Sequence, residues 1–410
     1  MCDRYNSLEV LFVSSVCSTD KYSWVVKQRI VSSLDPYQRL FSAFVEGLSA
    51  NGCHVTCISA LPLSISNCSI SAFSREEESV ESVDYIYPAF RMGRLSRIHD
   101  LFRNTKIEII KWYSQTKGKR RIIICDSLVL MCSNPCRKYM QRKRLPVIAY
   151  VTDYPSLATS IKKQSKKVKA LCQKLFDTYA DNDLKKYNGY ILVADALKEK
   201  IGIWHKPYIV LEDIISIKNL VLKNNSKNKK FTIIYGGALC TRFGVEILAD
   251  AVHMSTNQLL SLEFYGSGES VEYIKLLSQK DNRIRWRGIV TYGELQKIQA
   301  NADLLVNPRP SNETFSAYSF PSKTLSYMLT GTPVLSTRIP GIPKDYDEYL
   351  LWFDGESAAE MDCRIREVIS LGSEKLIEIG AKAKQYAIHK KNPVVQTRRI
   401  LDFVVREFLM

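Results

Sequence analysis

Between residues 231 and 336 the sequence alternates short apolar segments with longer amphipathic ones, and this alternation restricts the possible folds more than any other feature. The spacing of apolar residues predicts strands at 231–235, 262–265, 283–287, 303–307 and 334–336, and helices at 244–254, 271–277, 293–300 and 321–331. Strands that alternate with helices imply a parallel sheet covered on both faces. We therefore predict an α/β domain in this half of the chain.

One helix of this series, in the stretch SFPSKTLSYMLTGTPVLST, has an N-terminus suited to an anion. Pro321 fits the first helical turn because proline lacks the N–H that would have no partner there, and Gly331 fits a left-handed cap. The free N–H groups and the positive end of the helix dipole would lie beside Ser322 and Lys323. The other interpretation is an ordinary helix with a surface lysine.

The N-terminal half shows a similar alternation with longer gaps. Strands are predicted at 9–14, 54–59, 121–125 and 146–152, and a helix runs from Asp35-Pro36 to Asn51-Gly52. Residues 15–34 are predicted to form a long loop, and loops of that length are more often functional than idle. We divide the chain into an N-terminal domain, a polar linker, a C-terminal domain and a last helix that can cross back to the first domain. These are residues 1–212, 213–230, 231–390 and 391–410.

The composition excludes several classes of protein. The chain has 410 residues, of which 46% are hydrophobic, so it can form two or three domain cores. It contains no run of about 18 apolar residues and no signal-peptide pattern, so we expect no membrane span. The 11 cysteines are odd in number and scattered, which fits a reducing cytosol better than a disulfide framework. Cysteines and histidines lack ligand spacing, and we predict no metal site.

Positive charge is concentrated in one segment. The whole chain has a formal net charge of +16, while residues 91–174 alone contain 21 basic and 4 acidic residues. Such a density indicates a phosphate-rich partner, which could be anionic lipid, a lipid pyrophosphate or nucleic acid.

Several segments carry a family resemblance. In chain order, those of the C-terminal half are YGGALCTRFGVEILADA, LEFYGSGE, RWRGIVTYGELQKIQANADLLVNPRP and YSFPSKTLSYMLTGTPVLSTRIPGIP. They resemble successive signatures of the retaining glycosyltransferases of family 4, and they are particularly similar to the branch that builds bacterial capsular polysaccharides and exopolysaccharides. GYILVADALKEKI and KPYIVLEDII resemble the end of that branch's N-terminal domain, so the resemblance spans most of the chain.

The resemblance implies the GT-B fold, in which two Rossmann-like, doubly wound α/β domains face a central cleft. It assigns acceptor binding to the N-terminal domain, residues 1–212, and nucleotide-sugar donor binding to the C-terminal domain, residues 231–390. It also implies a metal-independent, retaining hexosyltransferase that uses a UDP- or GDP-linked sugar as its donor substrate and needs no cofactor. The expected acceptor is a lipid-linked saccharide. Nucleic acid is not an expected partner, because it would explain the charge but not the C-terminal signatures.

The resemblance also assigns the donor site. The leaving diphosphate develops negative charge as the glycosidic bond breaks, and an enzyme without a metal must stabilise that charge with cations and dipoles. Arg242 and Lys323 are the main predicted cations, whereas Arg309 could instead pair with an acid. The predicted donor-binding residues are Gly236, Gly237, Arg242, Arg309, Ser322, Lys323, Thr324 and Ser326.

The sequence departs from the family where the wider family has two glutamates. Tyr318 and Ser326 occupy those positions, and Ser326 replaces the glutamate that would hold the ribose hydroxyls. A charged hydrogen bond contributes about 1.5–3 kcal/mol and a neutral one about 0.5–1.5 kcal/mol, so we expect roughly tenfold weaker donor binding. Glu313, a candidate catalytic residue, could compensate from the preceding loop.

For the acceptor, Asp153 in VTDYPS is the second candidate catalytic residue. It ends an apolar strand and is expected to point into the cleft, where a carboxylate could orient or deprotonate a hydroxyl. Alternatively, Asp153 only forms a turn before Pro155. Retaining transfer also does not require a protein base, since the leaving phosphate can accept the proton. Gln38 is a further candidate for acceptor binding.

A predicted helix at 161–179 carries the densest positive charge. Its apolar stripe is expected to pack on the domain core, but the lysines near its N-terminus oppose the helix dipole and need a separate explanation. An anionic bilayer would supply it. We predict peripheral attachment at the cytoplasmic face of the plasma membrane through Lys162, Lys163, Lys166 and Lys167.

Two other functions are compatible with the sequence. The chain could be a non-catalytic GT-B subunit that binds nucleotide or membrane after loss of the glutamate pair. It could also be a GT-B sugar-nucleotide epimerase, although the acidic and histidine residues expected for that reaction are not visible.

Overall fold

The computed structural model describes residues 5–29, 36–63, 68–156, 167–218, 220 and 230–409. The chain divides into two compact units, of which the first is Met1–Ile214 together with Asn392–Met410 and the second is Ile215–Lys391. Residues 219 and 221–229 of the predicted linker lie outside the described residues. The assignment of the two units to acceptor and donor stays a prediction.

The first unit contains an eight-stranded sheet and a separate two-stranded one. The strands are β1 (Leu8–Ser14), β2 (His54–Ser59), β3 (Ala72–Phe73), β4 (Glu76–Val80), β5 (Val83–Tyr87), β6 (Phe90–Arg91), β7 (Arg120–Asp126), β8 (Ile148–Val151), β9 (Gly189–Leu192) and β10 (Tyr208–Val210). The large sheet has the order β10-β9-β8-β7-β1-β2-β5-β4, and β3 pairs with β6. Strand β4 pairs antiparallel with β5, and the other described pairings in the large sheet are parallel. The strand order reverses between β1 and β7, where open α/β sheets bind ligands.

Helices connect these strands, and one of them corrects the sequence prediction. They are α1 (Thr19–Gln28), α2 (Pro36–Ala50), α3 (Arg94–Gln115), α4 (Leu130–Arg142), α5 (Lys167–Leu184) and α6 (Leu197–Ile201). The prediction of a long loop at 15–34 was wrong, because α1 lies within it. The Ser18 hydroxyl caps α1 by accepting a hydrogen bond from the Lys21 N–H at 3.1 Å, and Asp20 lies in the first turn.

The second unit is built on a six-stranded parallel sheet. Its strands are β11 (Phe231–Gly236), β12 (Leu260–Tyr265), β13 (Ile284–Trp286), β14 (Leu304–Asn307), β15 (Val334–Ser336) and β16 (Leu351–Trp352). Its helices are α7 (Val245–Met254), α8 (Val271–Lys280), α9 (Tyr292–Ala300), α10 (Lys323–Thr330), α11 (Ala358–Ser370) and α12 (Gly372–Lys390). The strand order is β13-β12-β11-β14-β15-β16, so it reverses between β11 and β14.

Both faces of this sheet are buried, as the alternation in the sequence predicted. Ile233 of β11 packs in one apolar cluster with Leu248 of α7. Its neighbour Ile234 points to the opposite face and packs in a second cluster with Leu325 of α10. Gly331 caps α10 with φ = +80°, in the left-handed region that its sequence position indicated.

The last helix, α13 (Pro393–Phe408), belongs to the first unit and packs along α2. The Asn51 side chain at the end of α2 donates to the Val394 carbonyl at 2.9 Å and to the Thr397 hydroxyl at 2.8 Å. A Cβ atom on Gly47 would lie 2.2 Å from the Pro393 carbonyl oxygen, so the absence of a side chain there permits the contact. Within the described ranges, none of the helices combines the length and apolar character needed to cross a bilayer.

Candidate functional site

Three connections of the second unit meet where its strand order reverses. The chain after β11 and the chain after β14 leave neighbouring strands at the same edge, and α10 begins beside them. The backbone N–H of Gly236, at the end of β11, donates to the Tyr327 hydroxyl at 2.9 Å, and that hydroxyl donates to the Gly236 carbonyl at 3.1 Å. These bonds hold the end of β11 against α10.

Two glycines permit the close approach of these connections. Gly237 has φ = +139°, which few other residues adopt, and a Cβ atom there would lie 3.3 Å from the Lys323 Nζ. Gly244 has φ = +74°, and a Cβ atom there would lie 2.0 Å from the carbonyl oxygen of Pro308. The predicted role of Gly236 and Gly237 in approach of the backbone to a donor stays a prediction.

Two arginines share a pair of aromatic rings at this edge. Phe243 and Phe315 pack edge to face with ring centroids 5.8 Å apart. The Arg242 guanidinium carbon lies 4.8 and 4.7 Å from these two centroids, and that of Arg309 lies 5.2 and 4.9 Å from them. The sequence indicated both arginines but not the rings, which hold the two like charges near each other by cation–π contacts.

Lys323 is the third cation of the group. Its Nζ lies 3.7 Å from the centroid of the Tyr235 ring and 5.8 Å from that of Phe243. Burial and the nearby charge of Arg309 hold the pKa of Lys323 well below its usual range. We call Arg242, Arg309 and Lys323 the cation cluster.

Two members of the cation cluster, Arg242 and Lys323, have no carboxylate partner among the described residues. Arg309 donates to the Ser319 hydroxyl at 3.0 Å. The alternative that Arg309 pairs with an acid stays a prediction. Arg242 and Lys323, two cations without carboxylate partners among the described residues, favour an anionic ligand here.

The start of α10 adds backbone donors to this group, with one correction. Within the described part of the chain, the N–H groups of Ser322 and Lys323 have no hydrogen-bond acceptor. The N–H of Thr324, the next predicted donor-binding residue, already donates to the Pro321 carbonyl at 2.8 Å. The Thr324 hydroxyl is fully buried and finds no partner among the described residues. Two amides rather than three are therefore free to bind an anion.

Ser326, which replaces a family glutamate, and Glu313, which was predicted to compensate for it, differ in exposure to solvent. Ser326 is buried and its hydroxyl donates to the Lys323 carbonyl at 2.9 Å, so it satisfies the helix backbone. Glu313 is partly exposed in the connection after β14, and its side chain caps no helix. Glu356, which the sequence analysis missed, holds that connection, because both its carboxylate oxygens accept from the Ser311 N–H at 3.1 Å.

The first unit has a pair of carboxyl groups at the carboxyl edge of its sheet. Asp153 follows β8 and accepts a hydrogen bond from the Tyr37 hydroxyl. Asp126 ends the adjacent strand β7, is buried, and accepts from the Leu128 N–H at 2.9 Å. Burial raises the pKa of Asp126 to about 7, although the hydrogen bond from Leu128 lowers it. The charge of Asp153 adds to the increase. The sequence signal for Asp126, an aspartate ending an apolar strand, was the same as for Asp153.

Gln38 has an internal role in this unit. Its side-chain oxygen accepts from the Cys17 N–H at 3.0 Å, and its nitrogen donates to the Cys17 carbonyl at 2.7 Å and to the Ser42 hydroxyl at 2.9 Å. These bonds fix the connection after β1 to α2. Acceptor binding by Gln38 stays a prediction.

Four lysines were predicted to contact a membrane. Lys162, Lys163 and Lys166 lie outside the described residues, and so does the side chain of Lys167. The expectation that the apolar stripe of this helix packs on the core was wrong, because Leu171 and Leu175 of α5 are 59% and 64% exposed. No group of three or more metal-binding side chains occurs among the residues searched, which are those that the structure describes.

Comparison with known families identifies the second unit. Residues 230–370, which contain the whole cation cluster and the start of α10, match the family described as glycosyl transferases group 1. The chain is a glycosyltransferase. Comparison with curated protein sequences yields no significant match.

Solved structures extend the similarity to the fold of nearly the whole glycosyltransferase. Sucrose-phosphate synthase from Thermosynechococcus elongatus superposes with a TM-score of 0.67 at 14% identity, over 97% of this chain and 98% of that one. Anabaena HepE in complex with UDP superposes with a TM-score of 0.60 at 12% identity, over 97% of this chain and 100% of that one. The lipopolysaccharide outer core galactosyltransferase WaaB superposes with a TM-score of 0.60 at 15% identity, over 98% of this chain and 100% of that one. The fold is GT-B, as the sequence resemblance implied.

Proposed function

We propose that this glycosyltransferase moves a sugar from a nucleotide-sugar donor to a lipid-linked saccharide in bacterial surface polysaccharide synthesis. We further propose that transfer retains the anomeric configuration and needs no metal ion. The observation that carries the proposal is the cation cluster beside the free N–H groups of Ser322 and Lys323, with no carboxylate bound to Arg242 or Lys323 among the described residues.

The chemistry of the cluster suits a diphosphate leaving group. Negative charge grows on the phosphate oxygens as the sugar departs, and fixed cations and N–H dipoles stabilise it most in a partly dry site. Lys323 carries a lowered pKa in the unliganded protein. A bound diphosphate would reverse that effect, because an opposite charge favours the protonated amine.

The acceptor step requires less from the protein. In the proposed retaining transfer the departing phosphate accepts the proton of the acceptor hydroxyl, and Asp153 orients that hydroxyl. The hydrogen bond from Tyr37 would fix the Asp153 carboxylate in one position. Glu313 is proposed to contact the donor in place of the absent glutamate.

Two structural neighbours support the choice of substrates. HepE was solved with UDP, with UDP and glucose, and with UDP-glucose. WaaB is a galactosyltransferase of the lipopolysaccharide outer core. We infer a UDP- or GDP-linked donor and a lipid-linked saccharide from these likenesses together with the cation cluster. A lipid-linked acceptor implies work at the cytoplasmic face of the membrane, and the lysines at 162, 163, 166 and 167 remain the proposed contact.

The experiment that tests the proposal is a titration with UDP, GDP and their common sugars. Arg242→Ala and Lys323→Ala should each weaken nucleoside-diphosphate binding by about 1.5–3 kcal/mol, the value of a lost charge-assisted hydrogen bond. Lys297→Ala, on the exposed side of α9, is the control and should bind as wild type. Turnover should persist in EDTA. Unchanged affinity in both variants would remove the diphosphate from the cation cluster.

A second candidate, a binding subunit without catalysis, is favoured by one observation. Ser326 is buried and bonded to its own helix, so it cannot reproduce a glutamate that holds ribose hydroxyls. A wild-type protein that binds nucleotide but never releases it from a sugar, with bacterial lipid extract present, would establish this function. An epimerase would instead convert the donor sugar without any acceptor.

A further inference from the structure

Helix α3 of the first unit exposes apolar side chains in an ordered pattern. It buries one stripe, which includes Leu101, Ile109 and Trp112, against the body of the unit. Leu95 and Ile98, in its first turns, are nevertheless 83% and 49% exposed. Phe102, one turn further, is 38% exposed. Spacings of three and four residues put these three side chains on one side of the helix, so they form a second apolar stripe.

Basic side chains flank this second stripe and remain without acidic partners. Arg94, Arg103 and Lys106 are exposed, and none of them forms an ion pair with any residue that the structure describes. The acids of α3 are already occupied, because Asp100 binds Arg91 and Glu108 binds Arg75. We call Leu95, Ile98, Phe102, Arg94, Arg103 and Lys106 the α3 surface.

Another helix of the first unit, α5, also exposes apolar side chains. Helix α4 packs against α3, where the Thr105 hydroxyl donates to the Cys132 sulfur at 3.2 Å. It also contacts α5, where the Asn134 side chain donates to Asp183 at 2.7 Å. Leu171 and Leu175 of α5 are exposed. Both helices that contact α4 thus expose apolar side chains.

We propose that the α3 surface binds an anionic lipid bilayer, with its apolar side chains inserted at the headgroup boundary. Helices that lie in a membrane interface combine exposed large apolar residues with unpaired lysine and arginine in this way. This proposal rests on the proposed function for its purpose, since it would hold the enzyme at the surface that carries a lipid-linked acceptor. The α3 surface would be a second membrane contact, on a different helix from the lysines at 162, 163, 166 and 167.

The charge of the surface decides between possible occupants. A second copy of the chain would present the same unpaired cations, and like charges repel. Nucleic acid would satisfy the cations, but exposed Leu95, Ile98 and Phe102 gain nothing from a phosphate backbone. An anionic bilayer satisfies both, because its headgroups attract the cations and its acyl chains accept the apolar side chains.

The test is co-sedimentation of the full-length protein with vesicles of phosphatidylcholine alone and with added phosphatidylglycerol. Two triple variants separate the contributions, Leu95→Ser/Ile98→Ser/Phe102→Ser and Arg94→Gln/Arg103→Gln/Lys106→Gln. Each cation near an anionic surface is worth about fivefold in partitioning, so we expect at least a tenfold loss for the basic variant. We expect at least a tenfold loss for the apolar variant as well.

Matched changes in the second unit are the controls. Leu259→Ser/Leu276→Ser/Ile377→Ser removes three apolar side chains of similar exposure, and Lys280→Gln/Lys297→Gln/Lys390→Gln removes three exposed cations. Both should bind vesicles as wild type. Vesicle binding by the apolar variant equal to wild type would overturn the proposal. So would a concentration-dependent dimer, measured by ultracentrifugation, that the apolar variant abolishes.

UDP affinity, measured on the same proteins, separates this inference from the proposed function. All α3 variants should retain wild-type UDP affinity, which also shows that they are folded. A wild type that binds anionic vesicles through the α3 surface but binds no nucleotide would sustain this inference and refute the donor site.

Discussion

Replacing Lys323 by methionine is expected to stabilise the unliganded protein and to weaken its binding of nucleoside diphosphates. The ammonium group has no carboxylate partner among the described residues, and its pKa is lowered by burial and by Arg309. Methionine keeps an unbranched chain over the Tyr235 ring, where the Lys323 Nζ lies 3.7 Å from the centroid. The variant therefore removes the charge while retaining most of the packing.

The size of the effect follows from opposing contributions. The cation–π contact with Tyr235 favours lysine by about 0.5–2 kcal/mol. Holding an ion away from water costs several kcal/mol, and the neighbouring arginine adds repulsion. Lys323 is only partly buried, so we expect a net gain of about 1 kcal/mol, or about 2–4 °C in Tm. In the liganded protein, the lost hydrogen bond to a phosphate should reduce affinity by about 1.5–3 kcal/mol.

Thermal unfolding and UDP titration over a pH series are the assays for Lys323→Met, with Lys297→Met as the surface control. The fold disfavours the charged form of Lys323, so the stability gained by the variant should be largest at low pH. It should shrink as the pH rises toward 10.5, the ordinary pKa of lysine, because the folded wild type then loses its proton before the unfolded chain does. A variant less stable than wild type, or one with wild-type UDP affinity, would refute this reasoning.

Two further predictions concern the first unit. The pKa of Asp126 is raised from 3.8 to about 7, so its contribution to stability is retained below pH 3.8 and lost as the pH rises to about 7. Asp126→Asn should remove that loss of stability, which is about 4 kcal/mol at most. The free energy of unfolding, measured in urea over a pH series, would contradict this if it changed equally with pH in the variant and in wild type. Gly47→Ala should lower the free energy of unfolding by about 1–3 kcal/mol, because the new methyl group meets Pro393. Gly293→Ala, a helical glycine with open space around it, is the control and should not be destabilised.

Much of the second unit could be predicted because its signals are local. Each strand of its central sheet is a short apolar run, and the cap at Gly331 is fixed by a single glycine before Thr-Pro. The cations Arg242 and Lys323 were indicated by position along the chain. The aromatic rings beside them were not predicted. Phe243 and Phe315 belong to separate connections of the chain and come into contact only in the folded unit.

The features that were missed depend on contacts between distant segments. Asp126 has a raised pKa chiefly because the folded unit buries it, and the charge of Asp153 after the neighbouring strand β8 adds to the increase. The sequence specifies neither the burial nor the strand order. The Ser326 hydroxyl bonds to the backbone of its own helix. The helical spacing of the sequence does not show whether such a side chain is buried or exposed. Helix α1 was predicted as loop although Ser18 and Asp20 are typical of a helix N-terminus, so in that case a local signal was overlooked.

The most direct test of the central claim is a turnover assay in which the protein is given UDP- and GDP-sugars with lipid-linked saccharides from bacterial membranes. We predict one nucleoside diphosphate released for each sugar transferred, and a product whose new linkage, determined by NMR, keeps the anomeric configuration of the donor. Arg242→Ala and Lys323→Ala should lose this turnover, and Lys297→Ala should keep it. Donors that stay intact while wild-type nucleotide binding is strong would contradict the account, and a product of inverted configuration would contradict the proposed retention.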